Sequence, residues 1–394
     1  MAAALTGAPN VKAKGRTMIL AAYLNLLVFG LLDNFRGPFF SAQLTEFSLS
    51  EGAGAAVFAL TSIFASLSST TGAGLLRRLG AGGLLNFSAF CMGAGFLCMA
   101  FSPLYAILLF GAALLGVGLG LAALAQNVAV AEYAPIQSRA KLMSGLHAMY
   151  ALSSAASPWV AHGLLLAGWT WRQSFIAVAL VPMMFSLAGV LWGRRTRRVI
   201  HAAPLSLQAQ VWPKGTRRHV FLLAICTALY LWAEISVGTR LVRWFEVEHG
   251  GTAAQGSLYL MSFFAALLLG RLLSWRWAPH REQGLRRTLW ASSVVAAGGL
   301  LWALWVWPWA VALAGLAMGP FYPLAMAYAR VRFMDLAPQA YTLILGTGSA
   351  GVVMMHFLIG WSADNHGLQA AMQVGPLGLL LGLLILLFEA RIKR

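Results

Sequence analysis

The chain has little charge, and acidic residues are the scarcest part of it. Only 10% of its 394 residues are charged, and 11 acidic residues stand against 28 basic ones. Soluble domains carry about 25% charged residues. Because 60% of the chain is hydrophobic, the composition excludes a soluble enzyme. It also excludes a disordered chain, which needs low hydrophobicity.

The chain has few candidate metal ligands and lacks the common catalytic motifs. Its three cysteines, Cys91, Cys98 and Cys226, all lie in apolar stretches and form no C-x-x-C pair. His147 and His356 have no cysteine or carboxylate at ligand spacing. G-x-S-x-G and H-E-x-x-H motifs are also missing. We therefore expect no metal, no cofactor and no enzymatic activity.

Long apolar runs take up most of the chain. A membrane-spanning helix needs about 20 mostly apolar residues, and the sequence predicts twelve of them. The predicted spans are 18–43, 51–75, 82–101, 105–132, 141–166, 171–193, 219–246, 254–275, 287–306, 308–331, 339–362 and 370–388. The fold class predicted is therefore an all-α membrane protein.

The net charge of +17 is a signal of topology. If the spans alternate in direction, 24 of the 28 basic residues fall on one side. Cytoplasmic loops are rich in Lys and Arg, so we expect this side, with both termini, to be cytoplasmic. The basic charge then needs no nucleic-acid partner. We expect a monomer in the lipid bilayer, in a bacterial inner membrane because no outer loop carries a glycosylation sequon.

The longest polar stretch divides the chain into two sets of six spans. We interpret 194–218 as a cytoplasmic linker between a six-helix bundle at 1–193 and another at 219–394. Many secondary transporters are built from such repeats, with the solute site between them near the middle of the bilayer.

Two short motifs carry a family resemblance. Gly74-Leu-Leu-Arg77-Arg78-Leu-Gly80 lies between predicted spans 2 and 3, and Gly168-Trp-Thr-Trp-Arg172 opens span 6. With the twelve spans and the basic central loop, they resemble the major facilitator superfamily. The resemblance implies two six-helix bundles and transport of a small-molecule solute.

Further segments resemble the fucose–proton symporter family within that superfamily. They are Leu32–Pro38, Gln126-Asn127, Leu229–Thr239, Gly315–Pro323 and Gly360–Gly367. This resemblance implies proton-coupled, or alternatively sodium-coupled, uptake of a sugar-like solute. Members closest to the fucose permease carry a glutamate four residues before the span 4 asparagine, where this chain has Ala123.

Two acidic residues fall deep within predicted spans. Asp33 and Glu234 each lie fifteen residues into their spans, which are the equivalent first helices of the two halves. An ionisable group at this depth is costly and points to function, and burial favours the protonated form of a carboxyl group. We predict that both residues bind the coupling ion. The alternatives are a structural pair of Asp33 with Arg36, and packing of Glu234 against backbone donors.

Three arginines lie toward the outer ends of predicted spans 1 and 7. Arginine binds carboxylates through paired hydrogen bonds, so we predict that Arg36 and Arg240 bind an anionic solute. Arg243 lies about half a turn around the helix from Glu234 and is left out of the site. The alternatives are pairing with nearby acids and extension toward lipid headgroups.

The remaining candidates are polar residues within spans. Gln126 and Asn127 are predicted to bind solute hydroxyls, with interhelical hydrogen bonding as the alternative. Tyr230 is predicted to stack on the solute, and so is Tyr322, which lies beside the helix-breaking Pro320; core or lipid packing is the alternative. His147 is a candidate gating residue.

The sequence therefore predicts a secondary active transporter that works by alternating access. We expect proton-coupled symport of a small polar solute, either a sugar or a sugar acid or other organic anion. The alternative is an efflux transporter that exports amphiphilic compounds or lipids in exchange for protons. A non-transporting sensor is not expected, because the longest loop leaves no room for an output domain.

Overall fold

The computed structural model describes residues 8–193, 215–279 and 281–391, so most of the predicted linker lies outside the described residues. The described chain is helical and contains no strand. Its fifteen α-helices are α1 (Ala8–Phe35), α2 (Phe40–Glu46), α3 (Glu51–Thr71), α4 (Ala73–Ala100), α5 (Tyr105–Tyr133), α6 (Arg139–Leu166), α7 (Trp171–Gly193), α8 (Thr216–His249), α9 (Ala253–Trp277), α10 (Glu282–Trp305), α11 (Val311–Met318), α12 (Phe321–Phe333), α13 (Ala337–His366), α14 (Leu368–Met372) and α15 (Val374–Arg391).

The helices confirm the all-α membrane fold. Within the described residues, 11 helical segments are long and apolar enough to cross a membrane. Each overlaps one of the predicted spans. Helix α6, at the position of predicted span 5, is 28 residues long but is not one of the 11. A twelfth crossing and cytoplasmic termini therefore stay predictions.

The predicted span 10 is broken, as its prolines indicate. Helix α11 ends at Met318 and helix α12 begins at Phe321, with Gly319 and Pro320 between them. Proline lacks a backbone N–H and its ring clashes with the carbonyl four residues earlier. The break therefore leaves main-chain carbonyls near Met318 without their usual helical partners.

One compact unit takes residues 8–33, 63–154 and 170–193 of the described chain. Its core joins α1, α4, α5 and α6 through buried residues such as Ala22, Leu84, Leu121 and Leu146. Helices α4 and α5 approach closely where Gly95 faces Gly111. Small residues permit such close packing of membrane helices.

The other compact unit takes residues 34–62, 155–169 and 215–391. Helix α8 runs through its core, and Tyr230, Trp244 and Phe263 are among the fully buried side chains. Residues 34–62 pack within this unit, where Gly37 lies against the backbone of Gly238 and Gly52 lies against Gly360. The division into six-helix bundles at 1–193 and 219–394 stays a prediction.

We predict that Gly95→Ala destabilises the protein. A Cβ at this position would lie 2.6 Å from the backbone nitrogen of Leu115 and 2.8 Å from the carbonyl oxygen of Gly111. Overpacking of this kind costs about 1–3 kcal/mol. The control is Gly298→Ala, since a Cβ there meets nothing within 4 Å. Thermal unfolding of the purified protein should show a lower melting temperature for Gly95→Ala only, and equal melting temperatures would contradict the close packing of α4 and α5.

Candidate functional site

Glu234 lies in the middle of helix α8, in a buried ionic and hydrogen-bonded group. Its residue exposure is 8%. Arg271 of helix α9 places Nη2 3.3 Å from Glu234 Oε1, and the hydroxyl of Tyr230 lies 2.5 Å from Oε2. Tyr230 is one helical turn before Glu234, so the two side chains share a face of α8. Both carboxylate oxygens therefore have a donor.

The hydroxyl of Tyr230 also reaches the broken helix. It lies 3.1 Å from the main-chain oxygen of Met318, at the end of α11. The ring of Tyr230 stacks on Phe321, the first residue of α12, with centroids 4.4 Å apart. Tyr230 thus links the carboxyl group of Glu234 to both sides of the break. Its burial and stacking match the core-packing alternative, while its hydroxyl serves Glu234.

Asp33 belongs to the other compact unit, at the end of its first segment. It accepts a hydrogen bond of 3.0 Å from the hydroxyl of Tyr150 in helix α6. Asp33 and Glu234 therefore share a local chemistry, since each carboxylate accepts a bond from a tyrosine. The ion-binding role of both residues stays a prediction.

The amide pair of helix α5 divides into two environments. Gln126 is buried and donates a 2.7 Å hydrogen bond to Asn25 of α1, whose own amide donates to the carbonyl of Leu85. This is the interhelical arrangement weighed as the alternative. Asn127 is exposed and donates to the carbonyl of Ala123 in its own helix.

Arg36 and Arg240 meet at one aromatic ring. The guanidinium carbons of Arg36 and Arg240 lie 4.8 and 5.1 Å from the ring centroid of Phe58, and His356 stacks on the same ring at 5.6 Å. Arg36 Nη1 also donates to the hydroxyl of Thr61 at 2.8 Å. We call Arg36, Phe58, Arg240 and His356 the Phe58 cluster.

Arg243, one turn after Arg240, has an acidic partner. Its Nε donates to Glu51 Oε1 at 2.8 Å. Glu246 on the same helix accepts a short hydrogen bond from Ser41. Pairing with nearby acids was the alternative for the arginines, and the structure shows it for Arg243.

Tyr322 lies close enough to Glu234 and Arg271 to interact with both charges, and it is half-buried against the core of its unit. His147 is exposed on helix α6. A cavity of about 570 Å³ is lined by Arg217, Gln339, Thr342 and Thr347 among others. Arg217 lies 17 residues before Glu234, about 25 Å along the helix. No cluster of three or more metal-binding side chains occurs within the described ranges.

A second buried ionic group was missed by sequence reasoning. Glu389 of α15 is 1% exposed, and its carboxylate oxygen Oε1 lies 2.7 Å from His219 Nδ1 and 2.6 Å from Arg332 Nη2. Tyr328 donates to Oε2 at 3.1 Å, and Arg332 also pairs with Glu282 at 2.5 Å. By the predicted span bounds, these residues fall at span ends or in loops, where hydration is expected: His219 begins its span, Arg332 and Glu389 each follow the last residue of one, and Glu282 lies between two spans.

Arg271 was missed for a related reason. Arg271 is one of the 24 basic residues that the topology prediction places on the cytoplasmic side, although it falls before the predicted end of its span at 275. The structure places it inside helix α9, which continues to Trp277. The position of Arg271 inside the predicted span 254–275 was the sequence signal for a role within the membrane.

The 11 long apolar helical segments of the described residues define a polytopic membrane protein, and the carboxyl groups of Glu234 and Glu389 are buried within it. The sequence pattern of the Major Facilitator Superfamily matches residues 22–334. The chain therefore belongs to the major facilitator superfamily. It is a membrane transporter of a small-molecule solute and not an enzyme.

Solved structures share the fold at low identity. A bacterial homologue of the human lysosomal transporter Spinster, in an inward-facing and unoccupied conformation, has a TM-score of 0.77 and 13% identity, with 96% of this chain and 97% of that chain covered. A D-xylose–proton symporter has a TM-score of 0.70 and 16% identity, with coverage of 93% and 96%. A mutant form of the nucleoside transporter NupG has a TM-score of 0.72 and 12% identity, with coverage of 96% and 100%. No curated protein sequence matches the chain.

We predict that Glu389→Ala strongly destabilises the protein. The substitution leaves His219 buried beside Arg332 with no carboxylate between them. Removing one partner of a buried ion pair costs about 3–5 kcal/mol. The matched control is Glu132→Ala, which removes an exposed glutamate near the end of α5. Unfolding by titration with a denaturing detergent should separate the two variants, and equal midpoints would show that Glu389 is not a structural centre of its unit.

Proposed function

We propose that the protein is a proton-coupled symporter that moves a small polar solute by alternating access. The solute is a sugar, or a sugar acid or other organic anion. The observation that carries this proposal is the buried carboxyl group of Glu234, held between Arg271 and Tyr230. A charge at this depth is costly to keep and defaults to a functional role.

A proton and Arg271 compete for the same carboxyl group. With Glu234 ionised, Arg271 and Tyr230 both donate to it. With Glu234 protonated, the attraction to Arg271 is lost, because a neutral carboxyl group has no charge to pair. Binding of a proton therefore changes the energy of this ion pair. A coupling ion drives transport only through such a difference between conformational states.

Tyr230 links the protonation state of Glu234 to the hydrogen bonding of the main chain at Met318. Its hydroxyl has one hydrogen and two acceptors within reach, Glu234 Oε2 and the oxygen of Met318. When Glu234 is ionised, the hydroxyl of Tyr230 donates its hydrogen bond to the carboxylate, since a charged acceptor forms the stronger bond. When Glu234 is protonated, its own O–H can donate to Tyr230, and Tyr230 then donates to Met318. Protonation thereby strengthens the link between α8 and the break in predicted span 10.

The solute class is supported by the resemblance to the fucose–proton symporter family and by the arginines of the Phe58 cluster. The D-xylose–proton symporter among the solved structures shows that this fold performs sugar–proton symport in another protein. Asp33, which accepts a hydrogen bond from Tyr150, is the second proposed proton site. We further propose that the protein acts as a monomer in a bacterial inner membrane, with the proton, or alternatively sodium, as the coupling ion and no cofactor.

We predict that Glu234→Gln abolishes proton-driven accumulation but preserves exchange. Glutamine keeps the size of the side chain and cannot ionise. In liposomes with an inward proton gradient, uptake from a panel of labelled neutral sugars and sugar acids should fall at least tenfold. Exchange of labelled for unlabelled solute, which needs no net proton movement, should remain. Asp33→Asn with Glu234→Gln should show the same pattern.

The control for this experiment is Glu248→Gln, an exposed glutamate on the same helix. It should accumulate solute like the wild type. If the double variant also accumulates solute normally under the gradient, proton coupling through these carboxylates is wrong. Gradient-driven movement in the outward direction would instead establish the efflux alternative.

A further inference from the structure

Arg240 is the largest charged side chain among the fully buried residues of the described chain. It is 1% exposed. Its two terminal nitrogens, Nη1 and Nη2, have no hydrogen-bond partner within the described part of the structure. Buried polar groups nearly always have partners, and a buried charge without one is especially costly.

Aromatic rings pack against the guanidinium group. Its carbon lies 4.0 Å from the ring centroid of Phe40 and 5.1 Å from that of Phe58. Such contacts stabilise the cation but supply no hydrogen-bond acceptor. The edge that carries Nη1 and Nη2 remains unbonded. Two parallel donors on a planar edge match the two oxygens of a carboxylate.

The neighbouring acids are engaged elsewhere. Glu51 binds Arg243 through Oε1, and Glu246 accepts from Ser41. Glu234, six residues before Arg240, binds Arg271. Glu51 is the one competitor, because its second oxygen, Oε2, is buried without a hydrogen bond in the described structure. It lies beyond hydrogen-bonding distance of the Arg240 nitrogens, which have no partner.

A second member of the Phe58 cluster, Arg36, adds to the positive field. Arg36 lies against the same ring and is held by Thr61, and His356 stacks on that ring. Residues 34–62 supply Phe40, Phe58 and Arg36, and these pack over α8 in this structure. A movement of this segment away from α8 would uncover the edge of Arg240.

We propose that Arg240 is the binding subsite for a carboxylate group of the solute. The subsite is covered in the present conformation and is opened when residues 34–62 separate from α8. This inference rests on the proposed transport function and narrows it, since it selects sugar acids and other organic acids over neutral sugars. It assigns Arg36 to the positive field around the carboxylate and leaves proton binding to Glu234 and Asp33.

The test is ligand binding to the purified full-length protein, with no gradient present. Thermal stabilisation should be titrated with D-glucuronate, D-gluconate and lactate, with D-glucose as the neutral match and choline chloride as the source of a simple anion. We expect saturable stabilisation by at least one carboxylate and none by glucose. Arg240→Gln should raise the Kd for that carboxylate at least tenfold. It should still fold, because the substitution removes an unpaired buried charge.

Three variants sharpen the result. Arg240→Lys keeps the charge but loses the two-donor edge, so its Kd should lie between those of the wild type and Arg240→Gln. Glu51→Gln removes the competing acid, so it should bind the carboxylate as tightly as the wild type or more tightly. Arg276→Gln, which removes an exposed arginine of α9, should bind like the wild type.

Several results would overturn the inference. They are equal carboxylate binding by the wild type and Arg240→Gln, equal stabilisation by glucose and glucuronate, displacement of the carboxylate by chloride at equal concentration, and no stabilisation by any of the three acids. Failure of the proposed function looks different. Binding that depends on Arg240, together with uptake that ignores the proton gradient, would contradict proton coupling and leave the subsite in place.

Discussion

The cost of placing a charge in the membrane governs this structure. Each buried charge must find a partner, and the partners define the two ionic groups of the larger compact unit. Glu234 is held by Arg271 and Tyr230, whereas Glu389 is held by His219, Arg332 and Tyr328. The carboxylate of Glu389 has three partners, which suits a fixed structural role. The carboxylate of Glu234 is paired with one arginine, Arg271, so protonation of Glu234 would remove the attraction between the two charges.

Arg240 departs from this pattern in an informative way. Its terminal nitrogens have aromatic neighbours but no acceptor in the described structure. A cation that is always buried without a partner would lower the stability of the folded protein in every state. If the solute supplies the partner, stability is lowered only while no solute is bound. Arg243, one turn away and paired with Glu51, shows that the same region can satisfy an arginine when no ligand is needed.

The sequence predicted the parts of the fold that depend on local properties. Apolar run lengths located the helices, and Pro320 predicted the break between α11 and α12. The depth of Glu234 within its span marked it as a candidate. Its partner Arg271 lies 37 residues away in sequence and was hidden among the charges that report orientation.

Pairings across the fold could not be predicted in this way. His219 and Glu389 are separated by 170 residues, and only the packing of α8 against α15 brings them together. Predicted spans were also too short in places: α10 begins at Glu282, whereas the corresponding predicted span begins at residue 287. Charges next to span ends were therefore assigned to water when the structure buries them. The solute class does not follow from the fold, since a D-xylose–proton symporter and a nucleoside transporter share it.

The central claim is that a proton crosses the membrane with the solute through Glu234. The direct measurement is the internal pH of liposomes containing the protein and a trapped pH-sensitive dye, after solute is added outside with no imposed gradient. We predict that the interior acidifies as solute enters through the wild-type protein and stays constant with Glu234→Gln. Solute entry through the wild type without acidification would contradict the account.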